Sequence, residues 1–142
     1  MGNVRAGWSG KYQLGKHEFY TAYHYALQYN EWLVRYNALS NTSQGIRYDK
    51  ESVQTSPSPD GVERVAIKCA DLAERMHLIE ETAKEAGQAI SPWLFKAVTN
   101  EGISFNSLKY PSHSEDKPIP CERDMYYDKR RRFYWLLAKH LA

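Results

Sequence analysis

From Val62 to Ile90, apolar or small residues return at alternating spacings of three and four, through Val65, Cys69, Leu72, Met76, Ile79, Ala83 and Ala86. This repeat puts one residue per turn on a single narrow seam of an α-helix, and such a seam is stable only when another helix covers it. Its flanks, among them Glu63, Arg64, Lys68, Asp71, Glu74, Arg75, Lys84 and Glu85, mix both signs of charge and suit solvated faces. Asp60, with Glu63 three residues on, reads as the capping box that opens the helix. A partner lies upstream. Lys16 to Ser40 contains no Gly or Pro, and Phe19, Tyr23, Ala26, Asn30, Leu33 and Asn37 repeat in the same way, widened by Tyr20, Leu27 and Val34. We expect one long helix there, centred near Leu27 with both Asn residues at its edge, folded back antiparallel on the heptad helix. A second copy of the chain would cover the seam equally well, as a homodimer or higher oligomer. Residues 41–60 hold Gly45 and run into Ser56-Pro57-Ser58-Pro59-Asp60-Gly61, so they are expected to be a loop, because proline removes an amide donor and fixes φ.

After Ile90 the elements shorten. Ser91-Pro92 places a cap and a first-turn proline ahead of Trp93, Leu94, Ala97 and Val98, and Asn100-Glu101-Gly102 ends that helix. Ser104 caps a second short helix over 103–108. A polar connection follows from Tyr110 to Pro120, and the last helix runs from Cys121 to Ala142. The predicted class is all-α, a long antiparallel helical hairpin followed by a C-terminal three-helix cluster of helix-turn-helix type. The regions are 1–15, a glycine-rich flexible arm; 16–90, the hairpin; and 91–142, the cluster.

Charge singles out the last of these. The formal net charge is only +2, yet six Lys/Arg against three Asp/Glu fall between Pro120 and Ala142. Positive charge gathered at one end suits an electrostatic footprint better than general basicity. The last helix shows two stripes. Tyr126, Phe133, Leu136, Leu137 and His140 share a face fit for packing. Arg123, Tyr127, Arg130 and Tyr134 step by four, three and four along another, with Lys129 and Arg131 beside it. Guanidinium groups fork onto phosphate oxygens and base edges, and phenols add a flat face and a hydroxyl, so double-stranded DNA is the expected partner of these six residues. The bland alternative is an amphipathic terminal helix with a solvated charged side.

Glu101-Gly102-Ile103-Ser104-Phe105 with Leu108, then Ile119-Pro120-Cys121-Glu122-Arg123-Asp124, then Tyr126-Tyr127-Asp128-Lys129-Arg130-Arg131-Arg132-Phe133, give the layout of a helix-turn-helix module. In these features, and in the heptad helix after a Ser/Pro/Asp/Gly loop, residues 56–142 resemble the RinA/ArpU-like late transcription regulators of phages and prophages. The ends of those proteins are similar to the helix-turn-helix of sigma factor region four. The resemblance implies sequence-specific DNA binding by the last helix, with Arg123, Tyr127, Arg130 and Arg131 where such families read or grip DNA. The chain departs from the pattern in one place, since Lys109 to Pro120 is much longer than a compact turn. Two other readings use the same residues: a small terminase-like DNA-packaging accessory, and a protein-binding module presenting a Tyr/Trp/Arg-rich surface.

Chemistry has little to stand on. His17 and His24 lie two helical turns apart, about 10 Å, too far to share a zinc ion. Glu81 and Glu85 belong to a mixed-charge face, and no Gly-rich phosphate loop follows a strand. No enzyme, metal or cofactor is expected. Cys69 and Cys121 are read as reduced thiols, the second with a pKa lowered by the helix start it opens. No signal peptide or membrane span is recognised, which suits a cytoplasmic protein.

Overall fold

Six α-helices and one 3-10 turn account for the regular structure in the computed structural model, which describes residues 11–49 and 59–142, with side chains over 11–41 and 61–142. The helices are α1 (Lys16–Leu27), α2 (Tyr29–Asp49), α3 (Pro59–Ala86), α4 (Ser91–Thr99), α5 (Phe105–Lys109) and α6 (Arg123–Leu141), with the 3-10 turn over Gln88–Ile90 between α3 and α4. No strand occurs among the described residues. Nor is any helix among them long and apolar enough to cross a membrane. The chain divides into two compact units, Tyr29–Leu78 and Met1–Gln28 with Ile79–Ala142.

The expected helix over 16–40 is broken at Gln28, whose N–H bonds the carbonyl of Tyr25 at 3.2 Å, three residues back. No Gly or Pro causes the break. The buried stripe changes phase there: α1 buries Phe19, Ala22, Tyr23 and Ala26, and continuing it would bury Asn30 and Leu33. Those two are exposed and Trp32 is buried instead, so packing overrides a locally unbroken helical sequence. At its other end α2 continues to Asp49, and α3 begins at Pro59, so much of the loop expected over 41–60 is helical. Asp60 falls inside the first turn of α3 and not at its cap. The rest of that loop, 50–58, lies outside the described residues.

Within the unit Tyr29–Leu78, α2 and the first part of α3 run antiparallel. The Arg75 guanidinium lies 5.6 Å from the Trp32 ring centroid, and Ser40 Oγ lies 3.9 Å from Cys69 Sγ. Advancing along α2 therefore retreats along α3, which is the expected hairpin made with α2 instead of a single long first helix. Seam residue Val62 is exposed, Val65 and Cys69 are half-buried, and Leu72 and Met76 are buried. Arg75 also reaches Asp71 at 3.0 Å, an exposed pair one turn apart that contributes little.

In the other unit the seam continues through Ile79, Ala83 and Ala86, all buried, to Ile90 in the 3-10 turn. Gly87 separates the two elements and is itself buried. A Cβ there would stand 3.2 Å from Lys129 Cγ and 3.3 Å from Ile90 Cγ1, so glycine permits the close approach of α6. α1 packs on α6 and α4, and α4 packs on α6. Gly102 ends the α4 turn at φ 75°, in the left-handed region that glycine occupies without strain. Ser104 caps α5 as expected, its Oγ accepting the Ser107 N–H at 3.2 Å. Residues 1–10 of the expected flexible arm lie outside the description. Tyr12 and Leu14, in its second part, are buried.

Candidate nucleic-acid interface

α6 is entered through Pro120, Cys121 and an extended Glu122 at the cap position. Cys121 is therefore one residue ahead of the cap and buried. Burial pushes its thiol pKa up, Lys109 opposes that, and Glu122 adds to it, so the shift is upward where the helix start alone predicted a fall.

The long connection before α6 closes on itself. The Ile119 N–H bonds the Leu108 carbonyl at 3.0 Å, and Ile119 is 1 % exposed. Lys109 Nζ donates to the Cys121 carbonyl at 3.2 Å and stands 3.8 Å from a Glu122 carboxylate oxygen. Trp93 Nε1 donates to the Lys117 carbonyl at 2.9 Å. The intervening residues thus form an excursion whose two ends meet, and the end of α5 lies beside the start of α6. Beneath them Ile90, Ala97, Phe105, Leu108, Ile119, Cys121 and Tyr126 make one apolar cluster.

The rotation of α6 separates the six predicted contact residues. Arg123 is exposed, its guanidinium 5.6 Å from the Tyr127 ring centroid. Tyr127 is half-buried, edge-on to Tyr126 at 4.9 Å. Lys129 and Arg131 are half-buried, the Lys129 stem lying over Gly87. Arg130 and Tyr134 are buried, at 9 % and 0 % exposure. Their expected outward stripe points inward for the greater part of its length. Tyr134 sits in an aromatic cluster, 5.2 Å from Phe19, 5.2 Å from Phe133 and 6.0 Å from Tyr23 between ring centroids, and that burial is worth more than solvating one phenol. Arg130 lies 5.9 Å from the Tyr134 ring centroid, inside the fold. Neither side chain is open to a duplex in this conformation. On the expected packing stripe, Tyr126, Phe133 and Leu137 are fully buried, Leu136 is half-buried, and His140 is exposed, 3.7 Å from a Glu85 carboxylate oxygen.

Three buried phenols titrate late. Burial lifts Tyr126 to about 12 against the lowering charge of Arg130. Burial also raises Tyr134, which Arg130 again opposes, and Tyr23, to which Glu101 adds. All three are neutral at physiological pH and act as packing groups.

A second stripe of α6, half-buried except at exposed Lys139, lies outside the six expected contact residues. Asp128, Arg132, Trp135 and Lys139 step by four, three and four, the same spacing as the stripe that turned inward. The signal was present, but spacing alone does not say which of two equivalent stripes faces water. Cys69 and Cys121 are free thiols, and no group of three His, Cys, Asp or Glu residues suited to a metal ion occurs among the described residues. Comparison with protein-family models, with curated proteins and with solved structures gives no match to this chain.

Proposed function

We propose that this chain is a duplex-DNA-binding protein of the phage regulator type, acting in the cytoplasm through the exposed side of α6. One observation carries the reading. α6 keeps Arg123 and Lys139 exposed and Lys129, Arg131 and Arg132 half-buried, against Asp124 and Asp128, in a chain whose total formal charge is +2. A helix with an excess of cations in a nearly neutral protein favours a polyanion, because each phosphate it neutralises releases condensed counterions. The closed connection supports the same reading by bringing the end of α5 beside the start of α6, as a helix-turn-helix requires. In this reading Arg123, Tyr127 and Arg131 face the groove, Lys129 contacts backbone, and Arg130 and Tyr134 hold the helix in place from within.

Retardation of duplex DNA at low salt tests it. A shift of the chain's own upstream DNA, lost progressively with added salt, is the expected outcome, and no shift of that DNA or of generic duplex would end the proposal. A terminase-like accessory would share the shift and differ in assembly. Native mass spectrometry is expected to give a monomer or dimer for the regulator, and a ring would transfer the proposal to packaging.

A further inference from the structure

The segment ahead of α1 packs onto α6 at Trp135. Tyr12 is 6 % exposed, with its ring centroid 5.6 Å from that of Trp135. Two ammonium groups flank this pair: Lys11 Nζ stands 5.1 Å from the Tyr12 centroid, and Lys139 Nζ stands 3.6 Å from the Trp135 centroid. Arg132 joins them. Burial raises the Tyr12 pKa, but Lys11 and Arg132 lower it by more, while Asp128 acts in the raising sense, and the net shift is downward. A tilted pair of aromatic side chains thus gathers two ammonium groups. Aromatic faces attract cations and hold them near one another where they would otherwise repel. Lys11 and Lys139 remain exposed, with donors available to an oxygen ligand.

Position selects the ligand. Arg123 and Lys139 are separated by roughly 24 Å along α6 at about 1.5 Å per residue. That is about twice the ~12 Å width of a major groove, so a helix whose first half faces the groove carries its last turns over the flanking backbone. We infer that Lys11 and Lys139, held by Tyr12 and Trp135, form a second surface that grips the phosphate backbone of the same duplex beside the groove. The inference rests on the DNA-binding reading above. Tyr12 and Trp135 are positioning residues here, and the N-terminal segment becomes part of the interface through them.

A Lys11→Ala/Lys139→Ala variant of the full chain tests this. Both side chains are exposed, so the fold is retained, and an unchanged thermal melt verifies it. On a fluorescent generic duplex, the double variant is expected to bind about ten-fold more weakly at low salt and to flatten the salt slope by about two, one for each lost phosphate contact. Its preference for the upstream duplex over the generic one should stay unchanged, and Lys11→Arg/Lys139→Arg should restore binding. Wild-type affinity and slope in the alanine pair, while Arg131→Ala still weakens binding, would overturn the second surface and leave the DNA reading standing. No binding of any duplex by the full chain would overturn both.

Discussion

One heptad seam passes through both units of the chain, and the two treat it differently. In Tyr29–Leu78 it has α2 as its helical neighbour within that unit, and burial is incomplete: Val62 is 39 % exposed, and off the seam Ile67 and Val34 are 62 % and 70 % exposed. In the other unit α1, α4 and α6 pack together around an aromatic cluster, and Ile79, Phe19, Phe133, Tyr134 and Leu137 are all at 0 %. A repeat specifies which residues face a partner, whereas the number of partners sets how far burial goes. Stability should therefore reside mainly in the aromatic unit.

Matched deletions would break or sharpen that contrast. Leu137→Ala is expected to cost about 4 kcal/mol and Leu72→Ala about 2 kcal/mol, opposite ends of the range for core leucines, as read from urea unfolding. Equal losses would mean that the hairpin is as tightly enclosed as the aromatic unit. Next in size is an alkaline effect confined to the aromatic unit. The folded pKa of Tyr126 is about 12 against an unfolded value of about 10, so folding favours its neutral form. The contribution is fully present below pH 10 and is lost as pH rises to about 12, at about 1.4 kcal/mol per unit, or roughly 2–3 kcal/mol in all. Urea midpoints should fall across that window in the wild type and fall less in Tyr126→Phe. A profile identical in the two proteins would place the alkaline loss elsewhere. The smallest expected effect is on the exposed side of α3, where Ile67→Ala should change stability by no more than about 0.5 kcal/mol. A loss of 2 kcal/mol or more would show that Ile67 is covered in solution.

Much of this architecture was legible in the residues. The all-helical class, the seam from Leu72 to Ile90, the antiparallel hairpin, the Ser104 cap and the stop at Gly102 follow from periodicity and from local backbone chemistry, which act within a few residues. The break at Gln28 was not legible, because no residue there disfavours helix and the cause is the burial of α1 in the aromatic unit. The rotation of α6 was hidden for a related reason. Tyr134 reads as polar by its hydroxyl, but its ring is satisfied among Phe19, Tyr23 and Phe133. The anchoring of Tyr12 was equally out of reach, since a contact with Trp135 leaves no pattern at so large a separation in sequence. The Lys109 to Pro120 connection reads as open by its length alone, and long-range hydrogen bonds such as Leu108–Ile119 and Trp93–Lys117 close it.

The central claim, that Arg123 and Arg131 on α6 face duplex DNA, is tested most directly by fluorescence anisotropy of a labelled duplex over a series of salt concentrations. The comparison is between the wild type and Arg123→Ala/Arg131→Ala, two positions outside the buried face of α6. The wild type is expected to bind with an affinity that falls linearly with salt on logarithmic axes, and the double variant to bind more weakly with a slope smaller by about two. Absence of binding by the wild type, or identical affinity and slope in the two proteins, would contradict it.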